Sequence, residues 1–356
     1  MLKDSQIKDL FEDKTVLVTG GLGSIGSEIA KQLLNYNPKE MRILDDRETE
    51  LFYTTTKYRS YDNIKFYFGD IREKERLSQV MDGVDSVFHT AALKHVTICE
   101  YNPFEAVKTN VIGTRNVIEC TLKHNVERMI LISTDKAVDP INVMGATKLL
   151  AERLVSAMYY YGNEKTKFGV VRFGNVLASR GSVLKIWENQ LKEGRKITVT
   201  NPNMTRFFMS IPESVRLIFT ATYHAENGEI FILKTPSVRI GDLAKAFLEL
   251  KGYPTNYYEI VGVRLGEKMH ERLISKNETG LLLENEESFL RLPLIFAEQE
   301  QSRESREYKK FIESGFKESN VREFSSNNKK YLLDKEKVKK ILKSVMNDYS
   351  SSRSSI

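Results

Sequence analysis

The sequence predicts an α/β protein built on a doubly wound parallel sheet of the Rossmann type, with a smaller C-terminal substrate-binding lobe. Three observations carry this prediction. Short apolar runs bounded by turns alternate with helical patterns through the first half of the chain, as in a parallel sheet covered by helices on both faces. The run Thr15-Val16-Leu17-Val18 leads directly into Thr19-Gly20-Gly21-Leu22-Gly23-Ser24-Ile25-Gly26 and then into a helical pattern. An acidic residue, Asp45, closes the next strand, 19 residues beyond Gly26.

The first strand is read over Thr15–Thr19. Gly20, Gly23 and Gly26 then bring a helix N-terminus, opened by Ser24 and Ile25, close to a pyrophosphate, whose charge meets unpaired backbone N–H groups and the helix dipole. The second strand, Arg42–Leu44, delivers Asp45 to accept hydrogen bonds from an adenosine ribose. Such a carboxylate argues for NAD, whereas Arg47 could neutralise a ribose phosphate and admit NADP, so both stay open. The third strand, Lys65–Phe68, ends in Gly69-Asp70-Ile71, which could place Asp70 against the adenine amino group with Ile71 on the ring; taken alone, the motif reads equally as a strand-ending turn with a solvated Asp. Strands over Ser86–Thr90, Met129–Ser133 and Gly169–Phe173 complete the pattern.

From about Leu177 the chain mixes short strand-like pieces, Ile197–Val199 and Ile230–Leu233, with helices such as Ile240–Leu250. This reads as a lobe closing over a cleft at the carboxyl ends of the strands. The expected organisation is a dinucleotide-binding domain over 1–176, a substrate lobe over 177–297 that can interleave with it, and a C-terminal extension over 298–356. The polar run from Glu298 to Lys310 reads as a solvated helix or mobile connection, and the serine-rich end from Tyr349 as disordered. Leu281 to Arg322 matches no useful pattern.

Hydrophobic residues at 41% and charged residues at 29% are balanced as in a globular protein, and no apolar run approaches a bilayer-spanning length. The first residues are polar and lack the apolar centre of a secretory signal, so no membrane association and a cytoplasmic location are expected. Cys99 and Cys120 have no paired spacing, which suggests neither a disulfide framework nor a zinc site. The net charge of +6 suits an anionic partner. Because the lysines are spread along the chain, a phosphate-bearing small ligand is favoured over nucleic acid.

Further blocks follow in order: GDIR, then HTAALKHV from His89 to Val96, then NPFEAVKTNVIGTRNV from Asn102 to Val117. After them come Ile132-Ser133-Thr134-Asp135-Lys136-Ala137-Val138 and Asn142-Val143-Met144-Gly145-Ala146-Thr147-Lys148. With TGxxGxxG, these blocks resemble the extended short-chain dehydrogenase/reductases, and specifically the UDP-N-acetylglucosamine 4,6-dehydratases of the 5-inverting type. The resemblance covers about Lys14 to Glu271, with an echo at Phe324-Ser325-Ser326-Asn327 and the following helix. It implies a tightly bound NADP or NAD that is recycled within each turnover, with Ala91, Ala92, Lys94 and Asn110 joining the cofactor site, and it implies a homo-oligomer. No metal is implied.

Reductases of that superfamily usually carry YxxxK; here Met144 stands at the tyrosine position, and a thioether cannot accept a proton. That disfavours a simple tyrosine-dependent dehydrogenase or 4-epimerase, although some 4,6-dehydratases resemble this chain in having Met there. The resemblance implies the following chemistry. Lys148, or a water or hydroxyl beside it, takes the sugar 4-hydroxyl proton; Lys136, desolvated enough to offer a neutral amine, takes the carbon 5 proton; Asp135 protonates the departing 6-hydroxyl; and Thr134 orients the reacting oxygen.

Further matches are Val171-Arg172-Phe173-Gly174-Asn175-Val176-Leu177 with Ser179-Arg180-Gly181-Ser182-Val183, Met204-Thr205-Arg206-Phe207-Phe208-Met209, and Gly262 to Glu271. They imply that Asn175, Arg206 and Arg264 hold a UDP diphosphate, with Lys94 also on the substrate, and that Glu267 accepts bonds from the uridine ribose. His95 and His270 lack a second ligand at helical spacing and read as structural. Phe207-Phe208 reads as core. The product expected is a UDP-4-keto-6-deoxy-N-acetylhexosamine for surface polysaccharide or glycoprotein glycan. A nucleotide-sugar 4-epimerase and a non-catalytic NAD(P)-sensing binding protein are the alternatives.

Overall fold

The computed structural model describes residues 2–162, 165–177, 179, 181–278, 280–293 and 302–351. Its centre is a ten-stranded sheet. Seven of its strands are parallel, and the first six in the chain are β1 Thr15–Thr19, β2 Glu40–Asp45, β3 Ile64–Phe68, β4 Ser86–His89, β5 Arg128–Thr134 and β6 Lys167–Phe173. They lie in the order β3-β2-β1-β4-β5-β6, so the direction of chain progression reverses between β1 and β4. At such a switch point the flanking loops splay apart and open a crevice beyond the carboxyl ends of the strands.

Both faces of the sheet are apolar, which is why its strands read as continuous hydrophobic runs. Val16 and Val18 pack with Ile29, Leu33, Phe88 and Phe219 on one face. Leu17, between them, packs with Leu77, Val87, Val117 and Met129 on the other. The strands extend a residue or two beyond the expected bounds where their ends are polar, as at Glu40 and Lys167.

Asn227–Leu233, assigned to the lobe in part from the sequence as Ile230–Leu233, lies instead in the main sheet, parallel to β6. A short apolar run looks the same in either setting, and only its partners distinguish them. Ser288–Arg291, Leu282–Glu284 and Lys317–Glu318 then extend the sheet in antiparallel fashion. The stretch from Leu281 that matched no pattern therefore closes one sheet edge.

The lobe has its own core, in which Trp187, Leu243, Phe247 and Val199 are buried with Val338 and Leu342. The last two come from the helix Lys335–Ser351, which packs on the helix Ile240–Leu250. The serine-rich end read as disordered is helical in its backbone as far as Ser351, and the residues after it lie outside the described residues. Residues 294–301, which include the start of the polar run, lie outside them too; the remainder of that run holds a 3-10 turn, Ser302–Glu304, and the start of the helix Arg306–Glu313.

Candidate active site

A cavity of about 920 Å³ opens at the carboxyl ends of the parallel strands and runs into the lobe. Its floor begins at the glycine turn. Gly20 has φ +64°, and a Cβ there would lie 2.7 Å from the backbone N and Cα of Ala91. A Cβ on Gly26 would lie 2.7 Å from Gly20 O and Gly21 Cα. Only glycine lets the turn, the helix Ser24–Leu33 and the loop after β4 approach this closely, and the resulting cradle suits a dinucleotide pyrophosphate at the helix N-terminus. Gly20, Gly23, Ser24 and Ile25 line the cavity, whereas Gly26 is packed behind it.

Asp45, Arg47, Asp70, Ile71, Ala91, Ala92 and Lys94 line the same end. Asp45 is not an idle carboxylate. Arg47 Nε and Nη2 donate to its two oxygens at 2.8 and 2.9 Å, and Leu22 N donates to Oδ2 at 3.0 Å. Arg72 donates from Nε to Asp70 Oδ2 at 2.7 Å and from its backbone N to Oδ1 at 2.8 Å, and its Nη1 reaches Glu105 at 2.7 Å. Asn110 does not reach the cavity. It sits on a π-helical segment, Lys108–Gly113, where its amide accepts from Leu93 N at 2.8 Å and donates to Leu93 O and Thr147 Oγ1, both at 3.0 Å. It thereby fixes the loop that carries Ala92 and Lys94 against the helix Val143–Ser156.

That helix and the end of β5 bring the expected catalytic residues together. Thr134, Lys136, Met144 and Lys148 all line the cavity. Met144 is 3% exposed and packs with Cys99 and Ala106. Lys148 donates from Nζ to Ile132 O at 2.6 Å, and burial pushes its ammonium down to about 8, with Glu152 opposing.

Asp135 is the exception among them. Its side chain is fully buried and does not line the cavity. Oδ1 accepts from Thr134 Oγ1 at 2.9 Å and from Lys136 Nζ at 3.0 Å, while Oδ2 is buried without a hydrogen-bond partner. The carboxyl therefore meets the cavity through the Thr134 hydroxyl and the Lys136 ammonium.

The neutral Lys136 amine expected from the sequence is also corrected. Burial works to lower its pKa, but Asp135 at 3.0 Å and Glu271, with Oε1 at 3.9 Å, outweigh burial and hold the ammonium above the usual lysine value. Glu271 itself is 3% exposed. Burial, with Asp135 adding, pushes its carboxyl above the usual range against the opposing charges of Lys136, Arg206 and Lys268.

Asn175, Arg206, Arg264 and Glu267 line the lobe end of the cavity. Arg206 is anchored by its Nη1, which donates to Thr205 O at 2.8 Å. Asn175 Oδ1, Ser182 Oγ and Glu267 Oε2 are buried without hydrogen-bond partners. Buried polar atoms are normally satisfied, so orphans on three lining residues mark a surface that a polar ligand completes. Arg180, quoted with the neighbouring motif, lies outside the described residues.

Several lining residues had no sequence signal. Trp187 touches the cavity while packing on Phe247, with ring centroids 5.5 Å apart, and donates from Nε1 to Thr198 O at 2.7 Å. Phe208, read as core, is buried yet lines the wall, as does His95. His270 meets Thr205 Oγ1 at 2.8 Å through Nδ1. Glu271 fell inside a quoted motif but had no role there. No cluster of three or more His, Cys, Asp or Glu side chains suited to a metal occurs among the described residues, nor does a helix long and apolar enough to cross a membrane.

Sheet order, glycine turn and cleft define a Rossmann-type protein of the extended short-chain dehydrogenase/reductase class. The chain belongs to the polysaccharide biosynthesis protein family, whose model matches residues 16–291. It is 42% identical to the inverting UDP-N-acetylglucosamine 4,6-dehydratase of Campylobacter jejuni, covering 80% of this chain and 85% of that protein. It is 51% identical to an uncharacterised membrane protein of Methanocaldococcus jannaschii, covering 95% and 98%. A UDP-glucose 4-epimerase of Rickettsia akari is 38% identical, with 94% and 96% covered. The solved structure of Pen from Bacillus thuringiensis superimposes with a TM-score of 0.83 at 38% identity, covering 93% and 98%.

Proposed function

We propose that this protein is a UDP-N-acetylglucosamine 4,6-dehydratase that inverts carbon 5, supplying a UDP-4-keto-6-deoxy-N-acetylhexosamine for glycan assembly. The observation that carries this reading is the Thr134-Asp135-Lys136 cluster at the cavity, with Met144 where a tyrosine-dependent enzyme would keep its base. A nicotinamide dinucleotide bound at the glycine cradle supplies the chemistry of accepting hydride from carbon 4 and returning it to carbon 6. Arg47 and Asp45 offer partners to a phosphorylated or a free ribose, respectively, so NADP and NAD both fit.

Lys148 is the residue suited to take the 4-hydroxyl proton, because its lowered pKa supplies a neutral amine near physiological pH. Lys136 and Asp135 share one proton across 3.0 Å. When it moves from Nζ to Oδ1, the N–H bond breaks, an O–H bond forms, and the ion pair becomes a free amine beside a carboxylic acid. The amine removes the proton from carbon 5. The acid protonates the leaving 6-hydroxyl through the Thr134 hydroxyl, which donates its own proton as it receives that of Asp135, and water departs. Reprotonation of carbon 5 from the opposite face completes the inversion. The orphaned oxygens of Asn175 and Glu267, with the guanidinium groups of Arg206 and Arg264, are suited to the UDP moiety. A homo-oligomer belongs to the same reading, supported by Tyr101 and Phe104, which are 81% and 80% exposed.

The 38% identical 4-epimerase relative supports a second reading, nucleotide-sugar 4-epimerisation. Incubation with UDP-N-acetylglucosamine and NMR of carbons 4, 5 and 6 separates the two. A 4-keto, 6-methyl product is expected, whereas an inverted 4-hydroxyl with an intact 6-hydroxyl overturns the dehydratase reading. Lys136→Met is expected to abolish exchange of the carbon 5 hydrogen with solvent deuterium; normal exchange removes Lys136 from the mechanism.

A further inference from the structure

Lys136 faces a second carboxylate that the reaction steps above leave unused. Glu271 lies just before the strand Arg272–Ile274, and its backbone is pinned on both sides. Its N–H donates to Ser326 Oγ at 2.9 Å, and its carbonyl accepts from Ser326 N at 2.9 Å and Ser325 Oγ at 3.4 Å. The side chain is thereby directed into the interior, where it is 3% exposed. Oε1 lies 3.9 Å from Lys136 Nζ and 4.0 Å from Arg206 Nε. Oε2 is buried without a hydrogen-bond partner. A carboxylate held this way costs free energy unless its charge is used.

We propose that Glu271 is a positioning residue for the Asp135–Lys136 pair: its carboxylate favours the proton on Lys136 and so raises the pH at which the pair gives that proton up to solvent. The assignment rests on the dehydratase reading of the site. Its geometry supplies the reason. Asp135 can take the Lys136 proton because the two are hydrogen-bonded, but at 3.9 Å Glu271 acts on Nζ through charge. An anion at that range favours the ammonium. The other charged groups facing Glu271 are Asp135 from the end of β5, Arg206 from the strand Thr205–Met209, and Lys268 from its own segment. Lys268 is directed elsewhere, with Nζ donating to Val138 O at 2.6 Å. His270, next in the chain, has its pKa lowered by burial and by the cations Arg206 and Arg272, so it is neutral where Lys136 titrates. Glu271 and Asp135 are thus the two carboxyl groups beside the Lys136 ammonium, and Arg206 opposes them there.

The test reads the proton affinity of individual lysines in the full chain by competitive acetylation across a pH series, with peptide mass spectrometry of the Lys136 and Lys148 sites. In Glu271→Gln the Lys136 midpoint is expected to move acidward by about one pH unit or more, with Lys148, which faces Glu152, unmoved. Glu271→Asp keeps the charge one methylene further back and is expected to fall between Gln and the wild type; it serves alone if the Gln variant does not fold. In parallel, the pH profile of dehydration is expected to shift acidward with Lys136. An unchanged Lys136 midpoint, or equal movement of Lys136 and Lys148, overturns the proposal. If the wild type forms no 4-keto product while the Lys136 midpoint still moves in Glu271→Gln, the functional reading fails and the charge relation stands.

Discussion

Lys148 shows how much of a side chain's chemistry is decided by its surroundings. The residue is 6% exposed and its ammonium donates to Ile132 O, and burial pushes its pKa down to about 8. The neutral amine predominates above that value and is lost as pH falls through it. Turnover that needs this amine should therefore decline below about pH 8, and Lys148→Arg, which stays charged, should reduce kcat about a hundredfold or more and remove that limb from the pH profile. A variant with the wild-type profile would exclude Lys148 as the base. The sequence identified the position, since it falls four residues after Met144. It did not reveal the charge states. Lys136 was expected to be desolvated enough to offer a neutral amine, yet Asp135 beside it and Glu271, far along the chain, together outweigh burial and hold its pKa up. Local spacing carries no information about such a partner.

At the level of elements, the helix Val143–Ser156 is held by one amide with two duties. Asn142 Oδ1 accepts from Gly145 N at 2.8 Å as the N-cap, and Nδ2 donates to Gly266 O at 2.9 Å. The first bond steadies the helix carrying Met144 and Lys148; the second ties it to the turn between Arg264 and Glu267. Asn142→Ala should cost about 1 kcal/mol in denaturant unfolding, whereas Asn142→Asp should retain the cap and its stability. Both should raise KM for the nucleotide sugar, because both lose the donor to Gly266. If Asn142→Asp left KM unchanged, the tie between helix and turn would have no bearing on the substrate. Periodicity made the helix Ile240–Leu250 legible to the residue, since its buried positions repeat at helical spacing. Asn227–Leu233 was not legible in the same way, because neighbours in a sheet are chosen by tertiary packing.

Across the whole molecule, the nucleotide-binding half was readable because its glycine turn, its strands and its acidic strand ends occur in chain order. The lobe was less so, since its core is assembled from separated stretches. Leu342 is fully buried among Trp187, Leu243 and Phe247, although it is far from all three in sequence. Leu342→Ala should lower stability by about 2–5 kcal/mol, measured from urea midpoints; a change within about 0.5 kcal/mol would mean that the last helix contributes little to the lobe. This arrangement orders events during synthesis. Strands β1 to β6 and their helices can collapse around the dinucleotide cradle while translation is still under way. The far wall of the cleft lacks part of its support until Val338 and Leu342 have left the ribosome, so the glycine-turn end of the cleft takes shape before the lobe end.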